Sequence, residues 1–302
     1  MTKELKDKSP SLTSFYLSYV DQLYENQVIK QQLLSDTSFL KISETLNERE
    51  IFDKIIIHYL EEAELTLSLI KDLAFTKESA LLEVGSGLGL VYAFLKKQGF
   101  NIYGVEPSDS GFDGYFNAAV QIFKVLGVDG SNFYPLAAKE CPQLNQQFDI
   151  IFSNNVLEHI PELEQSFSAM KLVLKPKGVM VHNTVNYLVP YEAHLKILLV
   201  PFFPRVTEFF KPSLKKSDLW NSLNFITTSR LKKLCKFNRL NIKFKNDILL
   251  KTFLRLDSDP EFAHRQKYFI IPYKILKITK LIKLIDKIPV ALTTPITFTL
   301  RK

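Results

Sequence analysis

Residues Leu81–Leu90 read LLEVGSGLGL, an apolar run that carries one carboxylate and passes into three glycines at alternate positions. A short run of this kind reads as a strand buried on both faces, and Gly85, Gly87 and Gly89 allow a tight turn into a helix. Without side chains there, the backbone amides at the helix start can come close to a ligand. The next apolar run, NIYGVEP (101–107), ends on Glu106, where an acid can accept hydrogen bonds from both hydroxyls of a ribose. A glycine turn followed by an acidic strand end points to a nucleoside ligand.

On either side of this stretch the texture of the chain differs. From Leu12 to Asp72 the spacing is helical, with Ile51, Ile55, Ile56, Tyr59 and Leu60 on one face, so residues 1–77 are expected to form an N-terminal helical cap. From Ala80 short apolar runs alternate with helical stretches, as ALLEV, NIYGVEP, NFYPL, FDIIFSN and GVMVHN. Strand and helix in alternation imply an α/β fold with a parallel sheet wound on both sides, spanning 78–302. Two insertions interrupt it. One is aromatic and proline-rich (184–226), the other basic and helical (250–290). The first is long enough to be a lid or a binding loop.

Composition narrows the class. The chain has 302 residues, 46% hydrophobic and 24% charged, which suits a folded protein with a large core. Cys141 and Cys235 fit neither a disulfide framework nor a zinc spacing, so a reducing compartment and no structural metal are expected. No apolar run reaches the length of a membrane span and MTKELKDKSPSLTSFYLSYV is no signal sequence, so the expected location is the cytoplasm. Charge is split: residues 1–170 carry a net −11 and residues 171–302 a net +18. A basic half favours anionic partners such as phosphorylated compounds, nucleic acid or an anionic membrane surface.

Two details of the glycine turn choose among nucleoside ligands. A dinucleotide fingerprint reads GxGxxG, whereas here the third glycine comes one position early and Glu83 precedes the first by two. An added carboxylate suits a cationic ligand better than a pyrophosphate. With Glu106 and FDIIFSNNVLEHIP (148–161), the ExGxGxG pattern resembles the class I S-adenosylmethionine-dependent methyltransferases. Within them it is most similar to the small-molecule branch typified by ubiquinone-biosynthesis O-methyltransferases, chiefly over residues 78–178.

The resemblance implies a Rossmann-like doubly wound sheet of about seven strands whose last strand, TTPITFTLR, is antiparallel. It implies that S-adenosyl-L-methionine is the cofactor, that Glu83, Gly85, Ser86, Gly87 and Gly89 surround its methionine part, and that Glu106 with Pro107 holds the ribose. Ser153 and Asn154 match contacts to the methionine or sulfonium region, and LEHIP matches the start of the next helix. LAAKECP matches a segment whose acidic first residue helps bind adenine. Here that position is Ala137, which leaves adenine to Ala138 or Lys139.

The expected reaction is methyl transfer to a small-molecule acceptor, an apolar or anionic metabolite or lipid-like intermediate. For a hydroxyl acceptor a histidine base suits neutral pH, and His159, His182 and His194 lie near the ends of strands four and five. His194 and His159 are the catalytic candidates. His182 reads as a half-buried residue at a strand end. Glu192, two residues before His194, could raise its basicity.

The insertions raise further expectations. Leu198, Leu199, Val200, Phe202, Phe203, Phe209 and Phe210 are expected to pack as core, the alternative being an apolar pocket. In YFIIPYKILKITKLIKLIDKIP (268–289) a single amphipathic helix is expected, with Ile275, Ile278, Leu281, Ile282, Ile285 and Ile288 on one face, packing on the domain or lying on an anionic membrane. Tyr273 and Lys277 have a dehydrogenase-like YxxxK spacing, but far from the sheet. An RNA acceptor and a non-catalytic scaffold are the competing readings. No RNA-binding module supports the first, and the intact Glu83, glycine turn and Glu106 oppose the second.

Overall fold

The strand LLEV, β1 (Leu81–Val84), is buried at every position, which requires a packed layer on each of its faces. The computed structural model describes residues 11–35, 46–108, 113–192, 194–258, 263 and 267–302. Parts of the expected cap and of the basic insertion (1–10, 36–45, 259–262 and 264–266) lie outside the described residues.

β1 is flanked by β2 (Ile102–Val105) and β4 (Phe148–Asn154), both parallel to it. With β3 (Phe133–Tyr134), β5 (Leu174–Thr184), β6 (Asn241–Phe244) and β7 (Ile296–Arg301) they form one seven-stranded sheet in the order β3-β2-β1-β4-β5-β7-β6. β7 runs antiparallel to both β5 and β6. The fold is therefore the doubly wound Rossmann-like sheet with an antiparallel last strand that the family resemblance implied.

Side-chain alternation divides the core. Leu81, Ile102, Ile150, Phe152, Val179 and Val181 face the first layer, and Leu82, Val84, Val105, Ile151, Met180 and Phe298 face the second, the period of two inherent to strands. The first layer contains the N-terminal helices α1 (Leu12–Leu17), α2 (Val20–Glu25), α3 (Gln27–Ser35) and α4 (Glu48–Ile70), together with α5 (Leu90–Lys97) and α6 (Asp113–Leu126). α4 starts at a capping box, in which Asn47 accepts from the Glu50 amide and Glu50 from the Asn47 amide. The cap is thus continuous with the sheet's core: fully buried Tyr16 donates to the Leu90 carbonyl at 2.6 Å. The second layer contains α7 (Leu163–Val173) and α8 (Thr228–Phe237).

The insertions depart from expectation. Leu199 is buried, but Leu198, Phe202, Phe203, Phe209 and Phe210 are exposed, the four phenylalanines by 67–83%. They are not core: the short helical turns of 204–216 leave them facing outward while Trp220 takes the buried place. The expected 268–289 helix is also two pieces. After α9 (Ile248–Ser258), α10 (Lys267–Ile278) stops where Lys280 adopts a left-handed backbone (φ 60°), and a 3-10 turn covers Leu281–Lys287. Ile285 and Tyr273 are buried, but Ile275 and Ile278 are 55% and 81% exposed, so the break scatters the apolar stripe. Among the described residues no helix is long and apolar enough to cross a membrane.

Candidate active site

The site lies at the carboxyl ends of β1, β2, β4 and β5, where an open α/β sheet leaves a crevice. At the turn from β1 to α5, Gly85, Gly87 and Gly89 have φ of 67°, 52° and 65°, a region that strains residues with a Cβ. A Cβ on Gly85 would lie 2.5 Å from Val156, whereas at Gly87 nothing lies within 4 Å. The turn is closed on its inner side and open at its tip.

Two buried carboxylates flank it. Glu106 follows β2 and accepts the Gly87 N–H at 2.8 Å. Burial pushes its carboxyl up to about 7, the Gly87 bond offsetting part of the rise. Glu83, in β1, is pushed up to about 8 by burial and by the charge of Glu106, against the hydrogen bond from the Tyr92 amide. Its Oε2 atom has no partner among the described residues, although buried carboxylate oxygens are normally satisfied. Ser86 turns its hydroxyl back to the Glu83 carbonyl at 3.1 Å. An open glycine tip, an orphaned carboxylate oxygen and a second acid fit a ligand that brings positive charge and hydroxyl donors.

The remaining expected cofactor residues divide by side-chain parity. Asn154 faces the α4 side, where its amide donates to Glu62 Oε2 at 3.2 Å and its Oδ1 accepts from Asn183 at 2.8 Å. Ser153 faces the other way and its hydroxyl is engaged by His182 Nδ1 at 2.8 Å inside the second layer. With its hydroxyl turned to His182, Ser153 offers the crevice its backbone rather than its side chain. Ala138 is buried at the start of a 3-10 turn (Ala138–Leu144). Lys139, expected near adenine, directs its ammonium to Glu162 at 3.0 Å, and Pro107 is half-buried next to Glu106.

The histidines separate similarly. His182 is fully buried rather than half-buried, between Phe167 and Phe298, and burial alone drives its pKa down to about 3. It is no base at neutral pH. His159 and His194 lie together, their ring centroids 5.8 Å apart. LEH is a 3-10 turn (Leu157–His159) rather than the start of a helix, and His159 Nδ1 meets the Ser222 hydroxyl at 2.8 Å. Burial and the charge of His194 lower His159 to about 4.

The 184–226 insertion folds a two-residue ladder, Tyr191–Glu192 against Ile197–Leu198, that presents His194. Glu192 is fully buried and bonds Tyr187 at 2.5 Å through one oxygen and His194 Nδ1 at 2.7 Å through the other. Burial opposes the charged imidazolium, but Glu192, with Glu158 and Glu62, more than offsets this and raises the His194 pKa above its ordinary value.

Two further acids complete this corner. Glu62 on α4 accepts from Asn154 and, at 2.9 Å, from Asn155; its only trace in the sequence is a carboxylate beside an otherwise apolar helix face. Burial raises its pKa. Glu158 is fully buried, accepts from Thr184 at 2.7 Å through Oε2, and leaves Oε1 without a partner among the described residues. By contrast Tyr273 and Lys277 both bond Asp257, at 2.5 and 2.6 Å, in a local network on α9 and α10.

The chain is similar to known proteins. The family model described as a methyltransferase domain matches residues 56–227. An uncharacterised protein of Mycobacterium tuberculosis (strain ATCC 25618 / H37Rv) is 30% identical over 203 residues, covering 64% of this chain and 68% of that protein. The ubiquinone biosynthesis O-methyltransferase of Rickettsia typhi (strain ATCC VR-144 / Wilmington) is 25% identical over 215 residues, covering 68% and 78%. Among solved structures the [4+2]-cyclase SpnF superposes with a TM-score of 0.50 at 15% identity, covering 94% of this chain and 95% of that one, which supports the fold alone. The chain belongs to the methyltransferase domain family and is a class I S-adenosylmethionine-dependent methyltransferase.

Proposed function

We propose that the protein transfers the methyl group of S-adenosyl-L-methionine to a hydroxyl of a small acceptor, an apolar or anionic metabolite or a lipid-like intermediate. The observation that carries the cofactor assignment is the orphaned Glu83 oxygen beside an open glycine tip and Glu106. Glu83 and the turn would hold the methionine part, Glu106 the ribose, and Ala138 the adenine. When bound, the cofactor would supply an electrophilic methyl group on a positively charged sulfur.

The protein's share of the work is alignment and water exclusion, worth on the order of 7–11 kcal/mol in such reactions. Glu62 ties Asn154, at the cofactor side, to the corner where His194 and His159 stand. That corner is the acceptor side, and the two histidines are the groups that act on the acceptor's hydroxyl proton. Tyr187 and Glu192 fix the ring of His194.

The exposed phenylalanines support a lipid-like acceptor drawn from a membrane surface. Phe202, held in a left-handed backbone (φ 65°) and 83% exposed, costs conformational energy to display an apolar ring. Lys211, Lys215 and Lys216, all exposed, follow in the same insertion. Incubation of cell extract with labelled S-adenosylmethionine and the protein, followed by isolation of the labelled product, tests this reading. A product labelled on oxygen supports it; one labelled on nitrogen or on RNA overturns the acceptor assignment.

A further inference from the structure

Three side chains at the acceptor corner, Glu158, His159 and His194, bring one potential metal-binding atom each to within 4.8 Å of one another. They come from separate parts of the chain: two from the 3-10 turn after β4 and one from the 184–226 insertion. We propose that they form a binding site for one divalent first-row transition metal ion, of the zinc and cobalt kind, in a two-histidine, one-carboxylate set.

Two observations independent of the clustering point to a cation. Glu158 is fully buried, yet its Oε1 atom has no partner among the described residues. A buried, half-satisfied carboxylate costs free energy that a bound cation would offset. Each of the three side chains is also oriented from behind: Glu158 by Thr184 at 2.7 Å, His159 by Ser222 at 2.8 Å and His194 by Glu192 at 2.7 Å. Outer partners of this sort, above all a carboxylate on an imidazole Nδ1, set the tautomer and basicity of metal ligands. A structural role for the histidines accounts for the hydrogen bonds but not for the orphaned oxygen they surround.

The charge and dimensions agree. Glu62, Glu158 and Glu192 place three carboxyl groups around two imidazoles in a poorly hydrated corner, where a divalent cation would offset the cost of burying their charged forms. Metal–nitrogen and metal–oxygen bonds of about 2.0–2.2 Å at a tetrahedral angle put ligand atoms about 3.3–3.6 Å apart, so side-chain atoms that already lie within 4.8 Å of one another would draw together on binding. Imidazole with carboxylate suits zinc and its neighbours better than magnesium or calcium. Three protein ligands leave positions for an acceptor oxygen. The ion's charge would lower the pKa of that hydroxyl, its proton passing to solvent; His194 then acts as ligand and its effect on the proton is exerted through the ion. This role rests on the acceptor-side reading of the corner, but binding of the ion does not.

The test uses the full chain, produced without a polyhistidine tag and stripped with chelator, titrated with Co(II) by visible absorption and with Zn(II) by calorimetry. One saturable site per chain is expected. Glu158→Gln and His194→Ala should each weaken it by at least tenfold, and the outer substitutions Glu192→Gln and Ser222→Ala by about tenfold or more. Each variant is checked for an unchanged thermal shift with S-adenosylmethionine, which separates loss of the metal from loss of the fold. Absence of saturable binding in the unsubstituted protein overturns the site. So does a Co(II) affinity unaltered by Glu158→Gln and His194→Ala. A protein that binds Co(II) but labels no hydroxyl leaves the metal site standing and removes the acceptor reading.

Discussion

Glu106 spends one oxygen on the Gly87 amide and, with Glu83, keeps a pKa near or above neutrality because burial penalises its charge. A ligand offering hydroxyl donors and a positive sulfur favours both charged forms. With free-state values of about 7 and about 8, affinity for S-adenosylmethionine should rise from pH 6 to pH 8 with release of protons. The sign for folding is opposite. Raised carboxyls stabilise the ligand-free fold below their ordinary pKa, and this is lost as pH rises through 7–8, so the ligand-free melting temperature should fall while the cofactor-induced shift grows. Calorimetry and thermal melts at the two pH values check both, and a flat affinity would contradict the assignment. Glu106→Ala should cost about 1.5–3 kcal/mol of cofactor binding, the range for hydrogen bonds to a charged group. Gly85→Ala combines a left-handed backbone with a 2.5 Å approach to Val156 and should abolish the cofactor-induced shift in a thermal melt.

At the scale of elements, the insertion between β5 and α8 performs two tasks with opposite faces. Its short ladder fixes Glu192 and His194, and its outer turns display Phe202, Phe203, Phe209 and Phe210. Replacing these four by serine should leave the melting temperature almost unchanged, because little of their area is buried, while lowering co-sedimentation with anionic vesicles severalfold. If the unsubstituted protein ignores such vesicles, the membrane-surface source of the acceptor is wrong. The amphipathic reading of residues 268–289 failed for a local reason. Helical periodicity continues through the sequence, but the left-handed Lys280 turns the chain, and no glycine or proline at that position announces it. On α4 the Asn47 and Glu50 capping box was present in the letters, and Asn47→Ala should destabilise the fold by about 1 kcal/mol in denaturant titration.

Across the whole molecule, the glycine turn and its two flanking acids were legible in the sequence, and the corner around His159 and His194 was not. Glu83, the glycines and Glu106 are local to two adjacent strands and their turns, so a short window contains their geometry. Ser153 against Asn154 shows the limit: both match the motif, but strand alternation sends one into the second layer with His182 and the other to Glu62. The corner around His159 and His194 draws on α4, the 157–159 turn, the end of β5 and the 184–226 insertion. Glu62 and Asn154 are 92 positions apart in the chain, and no spacing rule connects them.

What the sequence determined by itself was the alternation of strands and helices, the nucleoside crevice and its preference for a cationic ligand, because period-two burial and glycine conformations act over a few residues. Only the tertiary structure decided which histidines meet, which carboxylates are stranded without partners, and which phenylalanines face water. Those outcomes follow from burial, and a residue's burial is set by segments far away in the chain that fold over it.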